Sequence, residues 1–179
     1  MQENEKQEIL RLLAEGSDAL QAALSGVDEE LARRKPAPEN WSIGECVEHL
    51  ALAEAGLLAR LREAKACNES HEDRARETKF QDLALNRARR IEAPETVLPA
   101  RDSATLAQAV DHFHAVRRET VRFVEEFSGT LRWSLTTHPL ITKAVNCYEM
   151  LLLMALHPKR HALQIQETRE ALRRIKNIP

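Results

Sequence analysis

The chain has 179 residues, enough for one domain with a substantial core and hardly enough for two, and a single domain over 1–179 is expected. Apolar residues make up 43% and charged residues 30%, and the formal net charge is −2, with no basic stripe of the kind that follows nucleic acid. No apolar run approaches a membrane span, and three cysteines without CxxC spacing point to a reducing cytosol rather than a disulfide framework.

The first segment, MQENEKQEIL, is polar, so no secretory leader is expected. A helix follows over about 5–26, with Ile9, Leu13, Leu20 and Leu24 at helical spacing and Val27 closing the stripe. KPAPEN at 35–40 breaks it from the next. The second helix starts at Ser42, whose pairing with Glu45 has the spacing of a capping box, and runs to about 67. Its stripe holds Ile43, Val47, Leu50, Leu57, Leu58 and Leu61.

Residues 68–102 are polar and then loop-like, with a short helix possible at 78–90. A connection this long is expected to cross the length of a bundle. ARRK at 32–35 and RARR at 87–90 read as solvated helix ends or loops. A third helix starts near Asp102 or Ser103, buries Leu106, Val110, Phe113, Val121, Val124 and Phe127, and stops before Gly129. A fourth starts at Asn146, again with capping-box spacing to Glu149, and runs to about 173. The expected fold is all-α: an antiparallel four-helix bundle with a long crossover connection between the second and third helices.

Seven histidines are present. His157 and His161 are i, i+4, about 40° apart in azimuth and about 6 Å in rise, so they project side by side. Their stripe also holds Met150, Leu153, Met154 and Ile165, which is a core-facing set. Two readings fit: ordinary hydrogen-bonded histidines at a helix edge, or a pair that binds a divalent metal as neutral imidazoles. His49 lies beside Cys46, Ala53 and Gly56, small residues that leave room next to it, and three histidines on two capped helices strengthen the metal reading.

The remaining candidates have simpler explanations. His112 and His114 point to different helix faces, His71 sits in a charged run, and His138 precedes Pro139 in a loop. Cys46 could face the site as a thiolate or be a small core residue. Glu45 could orient an imidazole or only cap its helix, and Glu45 or Glu54 could accept a proton. Pro158 removes a helical N–H and is expected to kink the last helix, freeing the Met154 carbonyl for a histidine or a water. Gln164 could line the site. No Ser–His–Asp set, phosphate loop, Rossmann fingerprint or HExxH motif is present.

NWSIGECVEHLALAE and HPLITKAVNCYEMLLLMALHPKRHALQI, with IEAPETVLP between them, resemble the signatures of the DinB-like (DinB/YfiT) superfamily, over residues 5 to 172. The resemblance implies a four-helix bundle, often a homodimer, with a divalent metal (nickel, zinc or iron) held by His49, His157 and His161. It implies no fourth protein ligand, so open positions would take water or a small-molecule substrate. Some relatives are S-transferases using a low-molecular-weight thiol such as bacillithiol or mycothiol, and metal-dependent hydrolysis of a small electrophile is the other activity that fits. A non-catalytic metal- or ligand-binding stress-response bundle is the alternative. Pro158 departs from the family pattern, and Ala162 and Leu163 replace the Arg-Gly of the bacillithiol-transferase branch, which argues against that particular activity.

Overall fold

The computed structural model describes residues 2–88, 91–100 and 105–176. Four long helices build it: α1 (Gln2–Leu24), α3 (Ile43–Arg62), α5 (Leu106–Glu126) and α6 (Cys147–Lys176). Two shorter ones, α2 (Glu29–Arg33) and α4 (Arg74–Leu85), lie in the connections. The caps explain the starts. Ser42 and Glu45 form a reciprocal capping box on α3. Asn146 Oδ1 accepts from the Glu149 amide at 2.8 Å while Glu149 accepts from the Asn146 amide at 2.9 Å. The expected start of the third helix at Asp102 or Ser103 lies outside the described residues. The described helix is capped by Thr105 with Gln108, a further capping box. It ends at Glu126 with Phe127 as its C-cap, and Gly129, expected as its C-terminal glycine, follows two residues after the cap without a positive φ.

The bundle is not antiparallel throughout. Tyr148 meets Glu8, Ala155 packs on Gly16 and Arg169 reaches the Ala23 carbonyl, so α6 runs parallel to α1. Ala109 and Phe113 share one buried cluster with Ile43 and Val47, and Val124 shares the other with Leu58 and Leu61, so α5 runs parallel to α3. The physical reason is the crossover. The segment from 63 to 105 leaves the end of α3 and returns to its start, where the Ala100 amide donates to Glu48, so α5 must begin where α3 began. The connection carries α4 as its short helix.

A small three-stranded antiparallel sheet was not expected. It is ordered β1 (Lys65–Ala66), β2 (Ser134–His138), β3 (Ile141–Asn146). β2 and β3 form a hairpin in register Leu135 to Asn146, Thr136 to Val145 and His138 to Ile141. Its β-branched residues suit a pleated, half-buried surface. The core is aliphatic: Ile9, Leu13, Leu58, Leu61, Leu151 and Met154 are fully buried in one cluster, and Ile43, Val47, Phe113 and Ile165 in a second. Each such side chain contributes about 1.5–3 kcal/mol by leaving water. Among the described residues no helix is long and apolar enough to cross a membrane.

Candidate metal centre

The second cluster is where α3 and α6 bring the histidines together. The capping box sets the start of α3, and two turns later His49 points inward, 5% exposed. Its Nδ1 lies 2.8 Å from the Val97 carbonyl oxygen, in a 3-10 turn of the crossover. A carbonyl only accepts, so Nδ1 carries the proton and Nε2 presents a lone pair. That Nε2 is 3.3 Å from His157 Nε2, which is 3.0 Å from His161 Nε2. All three donor atoms lie within 4.8 Å of one another, and among the described residues the group contains no carboxylate or thiol. Trp41 closes one side, its ring 4.7 Å from that of His49 and stacked at 6.2 Å on that of His161.

Burial holds all three imidazoles neutral. His157 and His161 are pushed well below the ordinary imidazole range by desolvation, reinforced by repulsion from the neighbouring rings. His49 is lowered by burial, with the Val97 hydrogen bond opposing the shift. Neutral rings at this spacing do not satisfy one another. A single proton between His157 and its neighbours makes one linear N–H···N bond and leaves the other contact as two facing lone pairs or two facing N–H groups. His161 Nδ1 is also buried, with no hydrogen-bond partner among the described residues. A cation among the three nitrogens removes the conflict at Nε2, and neutral imidazole is the form a divalent metal binds.

The other candidates are placed elsewhere. Cys46 is fully buried and its thiol is pushed up to about 12 by desolvation, so it is a core residue and not a thiolate. Glu45 accepts from the Ser42 amide at 2.8 Å and pairs with Lys35 at 2.6 Å. Glu54 is buried with one oxygen on Arg117 at 2.6 Å and the other on Thr120 at 2.9 Å. Both carboxylates are therefore occupied, and neither is poised to accept a proton. His112 is exposed, His114 packs on Phe113, and the His71 backbone joins Arg132 and Asn146. Gln164 is half-buried in the turn after His161.

Pro158 does not end α6, which runs through it. The carbonyl it frees, Met154, accepts from Arg117 Nη2 at 3.2 Å, and Arg117 Nη1 reaches the Leu13 carbonyl at 3.0 Å. Burial pushes the Glu54 carboxyl up and the Arg117 guanidinium down, and their mutual contact opposes both shifts. Trp41, Val97 and Arg117 were not singled out from the sequence. The tryptophan beside the Ser42 cap was the one available signal.

The chain is 24% identical over 155 residues to the uncharacterized protein YuaE of Bacillus subtilis (strain 168), covering 84% of this chain and 91% of that one. The structure resembles that of YfiT from Bacillus subtilis, described as a probable metal-dependent hydrolase with an unusual four-helix bundle topology. The TM-score is 0.59 at 14% identity, over 98% of this chain and 90% of that one. It also resembles a conserved protein of Enterococcus faecalis, with a TM-score of 0.59 at 15% identity over 92% and 95% of the two chains. The family model of the DinB superfamily matches residues 12–165, which take in the α3 cap, all three histidines and the crossover between them, and the chain belongs to that superfamily.

Proposed function

We propose that the chain is a metal-dependent enzyme acting on a small electrophilic molecule, by hydrolysis or by transfer of a low-molecular-weight thiol. His49, His157 and His161 hold one divalent cation, of the nickel, zinc or iron type. The observation that carries this reading is the convergence of three neutral Nε2 atoms with no acidic side chain among them.

A divalent ion bound by three neutral ligands keeps most of its charge, and it supplies Lewis acidity that lowers the pKa of a water or thiol in an open position. The residues of the chain set that chemistry up. The Val97 carbonyl fixes the His49 tautomer, Trp41 shields one side from water, and the Glu54–Arg117 pair supports α6 one turn before His157. His157 stays partly exposed, which favours a site open to substrate over a sealed structural one. The description of YfiT as a probable metal-dependent hydrolase supports hydrolysis.

The test is turnover. The protein loaded with nickel, zinc or iron is offered an activated ester, and separately an alkylating electrophile with and without cysteine as the thiol. Turnover of one of these is expected, abolished by a chelator and by His157→Ala. Metal-loaded protein that is inert toward both classes contradicts the enzyme reading.

A further inference from the structure

We propose that His138, together with Arg60, forms the anion-binding end of a substrate groove that begins at the histidine triad and runs along α3 past Gly56. The proposal rests on reading the triad as a metal centre. The ligand it fits is a small molecule with a metal-seeking group at one end and a carboxylate at the other.

The first observation is open space. Gly56 and Arg60 lie seven and eleven residues after His49, both within about 20° of it in azimuth, so all three share one face of α3. Gly56 is exposed, and a Cβ placed there would meet no atom within 4 Å. Ala53, on the turn between His49 and Gly56, is also small.

The second is the hairpin, which brings His138 over that face. Thr136 Oγ1 donates to the Arg60 carbonyl at 2.9 Å, and Arg60 Nη1 donates to Thr137 Oγ1 at 2.9 Å. His138 is the next residue. Leu135 pairs with Asn146, the cap of α6. Leu135 also pairs with Lys65, beyond the end of α3, and Thr136 reaches back to Arg60, so β2 runs back along α3 toward His49. From the level of Asn146, His138 is three strand residues away, about 10 Å, and His157 is eleven residues along α6, about 16 Å. The tip of the hairpin therefore stops roughly one helical turn short of the triad.

The third is the chemistry of the ring. His138 Nδ1 accepts from the Leu140 amide at 3.1 Å, so the neutral ring carries its proton on Nε2. Burial and the Arg60 charge hold its pKa down to about 4, which keeps that tautomer at neutral pH. A fixed N–H beside a guanidinium suits a carboxylate. Glu54, the buried acid of the same helix, is committed to Arg117 and Thr120.

The test uses cobalt(II)-loaded protein and two probes, 6-mercaptohexanoate and its amide, with binding read from thiolate-to-cobalt absorption. The wild type is expected to bind the carboxylate at least about tenfold more tightly than the amide. His138→Ala should erase that preference while leaving the amide and cobalt affinities unchanged, and His138→Gln, which keeps a donor, should retain most of it. Gly56→Leu, which fills the groove without touching the triad, should weaken both probes. Retention of the preference in His138→Ala overturns the assignment. If cobalt binds but neither probe does, the groove is wrong and the metal centre stands. If the wild type takes no cobalt, both readings fall.

Discussion

Pro158 leaves the Met154 carbonyl without its helical donor, and Arg117 supplies a replacement from α5. The same guanidinium neutralises Glu54, so its removal strands a buried carboxylate. Arg117→Met should cost about 3–5 kcal/mol in urea unfolding, because breaking a buried pair leaves an uncompensated charge. A cost below about 1 kcal/mol would show that the pair is dispensable. The cysteines make a second residue-level prediction. Burial pushes Cys46 and Cys147 each up to about 12, while Cys67 is only half-buried. A disulfide-exchange reagent at pH 8 should therefore titrate one thiol in the native protein and three after denaturation. Rapid reaction of two or three native thiols would contradict the burial. At this scale the three histidines could be read from the sequence because i, i+4 spacing and two helix caps are local. Val97 and Arg117 could not, since each acts across tens of residues through a contact that no spacing encodes.

The caps of α3 and α6 were likewise local and visible, and both form. The hairpin was missed because its strands are short and one partner, β1, has only two residues. Such strands are stable only against the helices they cover, so their sequence carries little periodicity of its own. Element packing also fixes Gly16 in α1. A Cβ there would collide with the Ala155 carbonyl of α6, and Pro158 packs just beyond. Ala is a better helix former than Gly by about 1 kcal/mol, but overpacking between two backbones costs about 1–3 kcal/mol. Gly16→Ala is expected to lower the thermal midpoint; a raised midpoint would mean that α1 and α6 are free to separate.

Over the whole molecule, the long crossover was anticipated but its consequence was not: a connection that spans the bundle makes the helices it joins parallel. The described architecture also concentrates neutral histidines at buried or half-buried positions. His49, His138, His157 and His161 are all held below the ordinary imidazole range by burial. The unfolded chain therefore binds more protons than the native state below about pH 6.5, and stability falls as the pH drops from there toward the native values. The urea midpoint of the metal-free protein should be lower at pH 5.5 than at pH 7.5; equal midpoints would contradict neutral burial. We also propose a homodimer, which the low net charge of −2 does not oppose, and light scattering at micromolar concentration should give twice the chain mass.

The central claim is that three histidines from α3 and α6 hold one metal ion. Its most direct test is elemental analysis of untagged protein purified without chelator, alongside the His157→Ala/His161→Ala double variant. The account predicts close to one divalent metal per chain in the wild type and almost none in the variant, with the helical circular dichroism of both unchanged because the core is aliphatic. A metal-free wild type that takes up no nickel, zinc or iron on addition, or a folded double variant with undiminished metal content, would contradict it.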